Sequence, residues 1–413
     1  MSLIVQKFGG TSVANIERIR NVASKAIAEY RNGHQVVVAV SAMSGETNRL
    51  VGLTDGLPGY TNTREYDVVV SAGEQISIGL VAMAIQEQGV PAVSYLGWQV
   101  RFLTDSAFGK ARIREVEPTR IRQDLEAGRI VVVAGFQGID PDGNITTLGR
   151  GGSDTSGVAL AAALHADRCD IYTDVDGVYT ADPRMVPKAR KMDRISYDEM
   201  LEMASLGAKV LQIRSVELAK KYKVPLRVLS SLEEGTGTML TEETEDMERV
   251  VVSGITSNRD EAKITVMSVP DRPGVAAAIF GSLADANINV DMIIQNVSPS
   301  GETTDLSFTV PRGDYGKAMQ VLEAVRGSVG AKEVRGNKEI AKVSAVGVGM
   351  RSHSGVAKRM FVALAREGIN IQMISTSEIK ISVIIEDKYT ELAVRTLHET
   401  FDLDQEQGDR VRT

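Results

Sequence analysis

Short runs of β-branched residues alternate with longer helical patterns over the first 230 residues. The predicted strands are Leu3–Phe8, Gln35–Ser41, Pro91–Tyr95, Arg129–Gly135, Asp170–Asp174 and Pro225–Leu229. The predicted helices between them are Asn15–Tyr30, Asp67–Gln88, Pro118–Ala127 and Thr155–Ala166. Strands that alternate with helices form βαβ units. Residues 1–230 are therefore predicted to be an α/β domain, with a mostly parallel sheet sandwiched by helices.

A polar, acidic stretch with several glycines follows at residues 231–247. This composition is typical of a linker. After it, one pattern occurs twice. Residues 274–293 read GVAAAIFGSLADANINVDMI and residues 355–374 read GVAKRMFVALAREGINIQMI, with 10 of the 20 positions identical. Each copy follows a strand and continues into a helix, two strands and a second helix, one strand short of a ferredoxin-like unit.

The two missing strands have different predicted sources. Residues 332–335 can complete the first copy, whereas 401–413 is too short and polar to complete the second. The stretch Glu248–Thr256 would complete the second copy and interlock the two, and the alternative is an isolated edge strand. The predicted domains are residues 257–338 for the first copy, and residues 248–256 with 339–413 for the second.

Composition narrows the classes of function. The 413 residues include 47 Lys and Arg against 54 Asp and Glu, a net charge of −7 that argues against a broad nucleic-acid surface. The single cysteine, Cys169, excludes a disulfide framework and a cysteine-based zinc cluster. The four histidines show no metal-ligand spacing. The N-terminal apolar run is too short for a signal peptide, and no stretch approaches a membrane span, so a soluble cytoplasmic protein is expected.

The 38 glycines are more informative, because several stand at predicted strand ends. The first such motif is Lys7-Phe8-Gly9-Gly10-Thr11-Ser12, after the first strand. Ligands of open α/β sheets bind at the carboxyl ends of strands, and glycines let the backbone approach a phosphate that a lysine neutralises. The lysine precedes the glycines, so this is not a P-loop. The alternative is a tight strand-to-helix turn.

The second motif is Leu148-Gly149-Arg150-Gly151-Gly152-Ser153-Asp154, just before a helix. Arg150 could hold a carboxylate with two hydrogen bonds, Ser153 could bind anionic oxygens, and Asp154 could orient a lysine or an ammonium group. The alternative is a glycine-rich turn with a helix cap.

The third motif, residues 172–184, reads YTDVDGVYTADPR and leaves an apolar strand for a turn-rich loop. It lacks most ligands of a calcium loop, and a nucleotide-facing loop explains its polar groups better. Shorter pieces stand at Ser41–Thr47, Ser71–Glu74 and Gly207–Lys209. Each alone favours a structural role, and Glu74 alone is typical of a solvated helix glutamate.

Together and in this order, these motifs resemble the aspartate kinase family of the amino-acid kinase superfamily. The repeat resembles the paired ACT domains of that family. The resemblance spans essentially the whole chain. It implies the amino-acid kinase fold followed by two ferredoxin-like ACT domains, and ATP-dependent phosphorylation of the L-aspartate side chain, the first step of lysine, threonine and methionine biosynthesis.

The resemblance also assigns residues. Lys7 and Asp154 would be catalytic, with Lys7 at the transferring phosphoryl group and Asp154 organising it. Arg150 would hold the α-carboxylate of aspartate and Glu74 its α-ammonium. The ATP side would comprise Lys7, Gly9, Gly10, Thr173, Asp174, Tyr179, Asp182, Arg184 and Lys209. The aspartate side would comprise Ser41, Thr47, Glu74, Arg150 and Ser153. Mg²⁺ would arrive with ATP, without an all-protein metal cage.

The ACT pair implies feedback control by lysine, threonine or both. The implied effector contacts in the first copy are Asp271, Gly274, Val275, Ala276, Asn289 and Gln295. In the second copy they are Met350, Gly355, Val356, Asn370, Ile371, Thr376 and Glu378. The alternative for residues 271–274 is a plain turn before a helix. The resemblance further implies a homo-oligomer through the ACT domains, and leaves open a shorter regulatory subunit that starts near Met247.

Three other functions compete with this reading. A sibling kinase for glutamate or a nucleotide would share the glycine loops, but Arg150, Glu74 and the repeat favour an amino-acid substrate. An amino-acid sensor without catalytic activity would not need both Lys7 and Asp154. A dinucleotide-binding dehydrogenase is weaker, because no G-x-G-x-x-G follows the first strand.

Overall fold

The structure is a computed structural model that describes residues 1–57, 59–207, 210–244, 250–297 and 301–405. Contacts divide these residues into two compact units. Unit 1 contains residues 1–178, 191–204 and 210–244. Unit 2 contains residues 179–190 and 205–207 together with the described residues from 250 onward.

A mostly parallel sheet with eight described strands forms the centre of unit 1. Its spatial order is β10-β12-β11-β9-β1-β2-β6-β3. Its strands are β1 (Leu3–Phe8), β2 (Gln35–Val40), β3 (Ala92–Tyr95), β6 (Ile130–Ala134), β9 (Arg168–Thr173), β10 (Arg194–Ser196), β11 (Leu226–Ser230) and β12 (Thr238–Thr241). The valine-rich runs QVVVAV and IVVVA are almost fully buried, as expected for parallel strands covered on both faces. The predicted α/β fold is confirmed.

Helices connect these strands and cover them. They are α1 (Ile16–Arg31), α2 (Glu46–Thr54), α3 (Arg64–Val70), α4 (Ala72–Glu87), α5 (Thr119–Glu126), α6 (Gly152–Leu164), α7 (Tyr197–Ser205) and α8 (Ile213–Tyr222). Helix α1 begins where the Asn15 side chain accepts a hydrogen bond from the Arg18 amide. Its buried face, with Ile19, Val22 and Ile27, packs into one core with α4 and the β-branched side chains of β2.

A second, four-stranded sheet in unit 1 was not predicted from the sequence. It has the order β5-β4-β7-β8. Its strands are β4 (Phe102–Thr104), β5 (Ile113–Val116), β7 (Gln137–Ile139) and β8 (Ile145–Thr147). Strands of three or four residues carry too little alternation to be recognised by pattern.

Two further expectations need correction. The predicted linker 231–247 is wrong for Thr238–Thr241, because this segment is β12, pairs antiparallel with β11 and buries Leu240. The stretch Arg64–Glu87 is apolar enough to pass a length-and-composition test for a membrane span, with a mean hydropathy of 1.8. However, 56% of its most apolar window is buried in the fold.

Unit 2 contains the two copies of the repeat, each built on a four-stranded antiparallel sheet. The first sheet has the order β15-β16-β14-β17 and the second β13-β18-β20-β19. The strands are β13 (Gly254–Asn258), β14 (Glu261–Pro270), β15 (Asp291–Val297), β16 (Thr303–Pro311), β17 (Glu333–Asn337), β18 (Ile340–Val346), β19 (Met373–Thr376) and β20 (Lys380–Glu386). The helices are α9 (Val275–Asp285), α10 (Tyr315–Val329), α11 (Val356–Arg366) and α12 (Thr390–Thr400).

The strand that completes each sheet comes from after the first copy in one case and from before it in the other. Strand β17 follows the first copy and pairs antiparallel with β14. Strand β13 precedes the first copy, yet pairs antiparallel with β18 of the second, from Gly254 opposite Val346 to Asn258 opposite Lys342. This is the interlocking arrangement described for Glu248–Thr256, although the strand begins only at Gly254 and residues 245–249 lie outside the described part.

Residues 179–190 lie in unit 2, although the domain boundary was predicted at 230. Ala181 and Val186 belong to the same apolar core as Val343 and Leu397 of the second copy. The Ile255 amide donates to the Thr180 carbonyl at 2.8 Å, and Thr180 Oγ1 is 2.9 Å from His398 Nε2. The segment therefore completes the core of the second copy, which its sequence position did not indicate.

Candidate active site

The carboxyl ends of four parallel strands in unit 1 lie side by side. Phe8 at the end of β1 is in register with Val40 of β2 and Tyr172 of β9, and Val40 is in register with Ala134 of β6. The loops that follow these strands therefore start from one edge of the sheet. Three of the predicted motifs, at residues 7–12, 41–47 and 172–174, stand at this edge, as expected for ligand sites of open α/β sheets.

Lys7 and Asp154 form an ion pair at this edge. Lys7 Nζ lies 2.5 Å from Asp154 Oδ1, and the two side chains are only 9% and 14% exposed. Asp154 stands in the first turn of α6. Gly157, one turn later, makes room for the lysine, because a Cβ there would lie 3.0 Å from Lys7 Cβ. The predicted juxtaposition of Lys7 and Asp154 is present.

The two glycines after β1 differ in their surroundings. The Gly9 amide donates a long hydrogen bond of 3.3 Å to the Tyr172 carbonyl. Gly10 begins a 3-10 helix (Gly10–Val13), so its N–H has no partner within that helix. A Cβ on Gly10 would lie 3.0 Å from the Ala42 carbonyl oxygen, so the loop after β2 packs directly on it. Of the two predicted phosphate donors, Gly10 is the less engaged.

Glu74 is buried in the first turn of α4, unlike a solvated helix glutamate. Its Oε1 accepts a hydrogen bond of 3.0 Å from the Ala42 amide, and Oε2 has no partner among the described residues. Gly73 permits this close approach, because a Cβ there would lie 2.7 Å from Ala42 Cβ. Burial raises the pKa of Glu74 to about 7, and the Ala42 amide opposes that shift. A buried carboxylate with a free oxygen is suited to a cationic ligand group.

The hydroxyl residues of the predicted aspartate pocket lie around the same loops. Ser153 is buried, and a Cβ on Gly135, just after β6, would lie 2.8 Å from its Cβ. Ser41 and Thr47 are half-buried, in the loop after β2 and the first turn of α2.

Arg150 stands between two glycines with positive φ. Gly149 has φ +77° and Gly151 has φ +71°, conformations that L side chains rarely adopt. The Arg150 side chain is exposed, and its guanidinium makes no hydrogen bond or ion pair with the described residues. Three residues that no motif singled out, Asp67, Gln212 and Arg214, hold the loop in place. No local pattern could have shown this, because the contacts join segments far apart in sequence.

The predicted nucleotide residues do not all lie in unit 1. Thr173 ends β9 and donates to Asp174 Oδ1 at 3.1 Å. Tyr179, Asp182 and Arg184 belong to unit 2, where Arg184 Nη2 lies 2.7 Å from Asp182 Oδ2. Lys209 lies outside the described residues. Within unit 1, contacts join Lys7 to Asp154, Gly10 to Ala42, and Ala42 to Glu74.

No group of three or more His, Cys, Asp or Glu side chains suited to a metal ion occurs among the described residues.

Some of the predicted effector residues occupy equivalent places in the two copies of unit 2, namely Gly274 and Gly355, Val275 and Val356, Asn289 and Asn370, and Gln295 and Thr376. Gly274 and Gly355 precede α9 and α11 with φ of +92° and +96°, and Val275 and Val356 after them are buried. The Asp271 amide donates to the Glu302 carbonyl. Glu378 Oε2 lies 3.6 Å from Arg351 Nε. The exposed members of the set are Asp271, Gly274, Ala276, Asn289, Gln295, Gly355, Asn370, Thr376 and Glu378, while Met350 and Ile371 are half-buried.

Comparisons with known proteins agree with the two-unit architecture. The model of the amino acid kinase family matches residues 2–230, and an ACT domain model matches residues 264–325 and 343–401. The aspartokinase of Pseudomonas aeruginosa is 64% identical over 406 residues, which cover 98% of each chain.

Solved structures give the same result. E. coli aspartokinase III in complex with aspartate and ADP, in its R-state, superposes with a TM-score of 0.81 at 29% identity, covering 96% of this chain and 99% of that one. The T-state of that enzyme, in complex with lysine and aspartate, gives a TM-score of 0.78 at 29% identity, covering 97% and 99%.

Proposed function

The chain belongs to the amino acid kinase family, among its aspartate kinases, and on that premise we propose that it transfers the γ-phosphoryl group of ATP to the side-chain carboxylate of L-aspartate. The products are 4-phospho-L-aspartate and ADP. The observation that carries this proposal is one continuous set of contacts. It runs from Lys7 and Asp154 through the glycine loop to Ala42 and the free oxygen of buried Glu74.

The chemistry needs few groups from the protein. A side-chain carboxylate is already ionised near neutral pH, so one of its oxygens attacks the γ-phosphorus directly and no general base is required. A new O–P bond forms as the bond between the γ-phosphorus and the bridging oxygen of ADP breaks. Catalysis then depends on alignment and on neutralising the charge of the transferring group.

Charge neutralisation at the phosphoryl group and alignment of the aspartate are proposed for two separate sets of residues. Lys7 neutralises the transferring phosphoryl group, and Asp154 holds the Lys7 ammonium in place. The Gly10 amide, and the Gly9 amide if it leaves Tyr172, donate to phosphate oxygens. Arg150 holds the α-carboxylate of aspartate and Glu74 its α-ammonium, while Ser41, Thr47 and Ser153 complete the pocket.

The remaining nucleotide contacts are proposed for Thr173, Asp174, Tyr179, Asp182, Arg184 and Lys209. Mg²⁺ would be held by the phosphates of ATP and by water, and it would offset phosphate charge. Every other role belongs to side chains and amides of this chain.

Regulation by amino acids is proposed for unit 2. The E. coli T-state structure contains lysine, and its chain has the same architecture. We place effector binding at the residues around the Gly274 and Gly355 turns, whose helix N-termini suit a ligand carboxylate. Lysine, threonine or both would act by binding one conformational state better than another. The proposal also includes association of chains through the ACT domains and a cytoplasmic location. It further places the enzyme at the first step of aspartate-family biosynthesis and includes a shorter subunit that starts near Met247.

One assay tests both the reaction and its regulation by amino acids. The purified chain is incubated with Mg-ATP and aspartate, and the acyl phosphate is trapped as the hydroxamate. We expect turnover with aspartate, little with glutamate, and inhibition by lysine, threonine or the pair. Absence of hydroxamate with aspartate would refute the kinase proposal, whereas turnover unaffected by either amino acid would refute only the regulation.

A further inference from the structure

We propose that Asp67, Arg214 and Gln212 are positioning residues that set the pose of Arg150 toward the α-carboxylate of aspartate. The inference rests on the proposed function, because that function assigns Arg150 to the carboxylate.

Asp67 is a fully buried carboxylate on α3 that joins two distant segments of unit 1. Both of its oxygens lie 3.0 Å from the Gly109 amide. The Thr147 amide donates to Oδ2 and the Thr147 hydroxyl to Oδ1, each at 2.7 Å. Burial raises the pKa of Asp67, and these hydrogen bonds oppose that shift. No cation pairs with this carboxylate among the described residues, so its hydrogen bonds must offset the cost of its burial.

The two segments that Asp67 joins flank the Arg150 loop. Thr147 is the last residue of β8 and leads directly into Leu148 and Gly149. Gly149 packs against the other segment, because a Cβ on it would lie 3.0 Å from the Gly109 carbonyl oxygen. Asp67 therefore fixes both the start of the loop and the surface on which the loop packs.

Arg214 and Gln212, at the start of α8, hold the backbone of the Arg150 loop beyond Thr147. Arg214 donates from Nη1 to the Leu148 carbonyl at 2.6 Å and from Nη2 to the Ala111 carbonyl at 2.9 Å. Gln212 donates from Nε2 to the Arg150 carbonyl at 3.0 Å. A Cβ on Gly151 would lie 1.9 Å from Gln212 Cγ, so the glutamine also contacts the far side of the loop.

The backbone around Arg150 is thus held at residues 147, 148 and 150, while its guanidinium stays without a partner among the described residues. A fixed backbone with an uncommitted charged group is the arrangement of a preorganised binding residue. A bidentate grip on a carboxylate requires the planar guanidinium to be aligned, so a small shift of the loop should weaken that grip selectively.

The test compares Asp67→Asn with a matched control, Asp124→Asn. Asp124 is also a buried carboxylate of unit 1, and it accepts from the Tyr95 hydroxyl at 2.6 Å and pairs with Arg129. In Asp67→Asn, an amide NH₂ would face backbone donors. We expect its KM for aspartate to rise by about tenfold or more while its KM for ATP changes less than about twofold. The control should leave both constants near the wild-type values.

A double-mutant cycle separates positioning from general destabilisation. If Asp67 acts through Arg150, Asp67→Asn should add little to the aspartate KM of Arg150→Ala, whereas fully additive effects would overturn the inference. Arg214→Lys and Gln212→Ala provide the same readout if Asp67→Asn does not fold. Calorimetric titration of aspartate into the full chain adds a readout besides turnover. A wild-type chain that neither binds nor phosphorylates aspartate would refute the proposed function. An active wild type whose variants bind aspartate equally well would refute the positioning inference alone.

Discussion

The proposed phosphoryl end and the proposed aspartate end of the site differ in how their charges are balanced. At the phosphoryl end, Lys7 and Asp154 are paired at 2.5 Å. At the aspartate end, Glu74 Oε2 has no partner and the Arg150 guanidinium makes no contact with a counter-charge among the described residues. The paired end can exist without a ligand at little electrostatic cost. At the open end, the buried Glu74 Oε2 lacks the partner that a ligand ammonium would supply, whereas the exposed Arg150 guanidinium is hydrated and free to take a ligand carboxylate. Selectivity for an amino acid should therefore reside at the open end.

The two ends also differ in their support. Lys7 stands on a central strand and is held by the hydrogen bonds of its neighbours β2 and β9. Arg150 stands between two glycines with positive φ and depends on side chains from α3 and α8. Substitutions at the first end should chiefly lower kcat, and substitutions at the second should chiefly raise KM for aspartate.

The largest expected effect is that of Lys7→Ala. Removing the cation that faces the transferring phosphoryl group should lower kcat by roughly 10²–10³-fold, with a small change in KM for aspartate. Hydroxamate trapping measures the rate, and Lys220→Ala is the matched control, because Lys220 forms an exposed ion pair with Asp198. Near-normal turnover of Lys7→Ala would show that its assigned role is wrong.

Arg150→Lys should have a smaller effect, and the constant that changes should be KM for aspartate rather than kcat. The lysine keeps the charge but cannot form two parallel hydrogen bonds to a carboxylate, so KM for aspartate should rise by about tenfold while kcat changes less. Initial rates over a range of aspartate concentrations measure this, with Arg20→Lys as a control in an exposed pair with Glu87. A loss confined to kcat would contradict the division between the two ends.

The sequence alone predicted the elements that carry long patterns. The strand Leu3–Phe8 and the burial of the valine-rich runs follow from β-branched sequences, and the repeat marked both copies in unit 2. The strand-end position of Lys7 was predicted from the sequence pattern, whereas its pairing with Asp154 was implied by the family resemblance.

The remainder depends on contacts between distant segments, which local patterns do not contain. Glu74 is buried where Gly73 allows the Ala42 loop to pack closely. Asp67 has no motif, and its role follows from Gly109 and Thr147, more than 40 residues away in each case. Residues 179–190 begin only a few residues after strand β9 of unit 1, yet Ala181 and Val186 are buried in unit 2. Two apolar residues in a turn-rich segment do not indicate which core they join.

The smallest expected effect is a pH dependence at the open end. In the folded chain the pKa of Glu74 is about 7, above its ordinary value of 4.5, because burial disfavours the charged form. Glu74 therefore contributes stability that is fully present below pH 4.5 and is lost as pH rises through about 7.

The binding of aspartate should have the opposite pH dependence, since its α-ammonium pairs only with ionised Glu74. Across the pH unit centred on this pKa, the KM for aspartate should fall by about threefold as pH rises, and it should level off at higher pH. Glu74→Gln should bind aspartate more weakly and show no such slope, while KM for ATP should vary little with pH in both proteins. The same slope in Glu74→Gln would assign the titration to another group and leave Arg150 as the sole charged determinant of the open end.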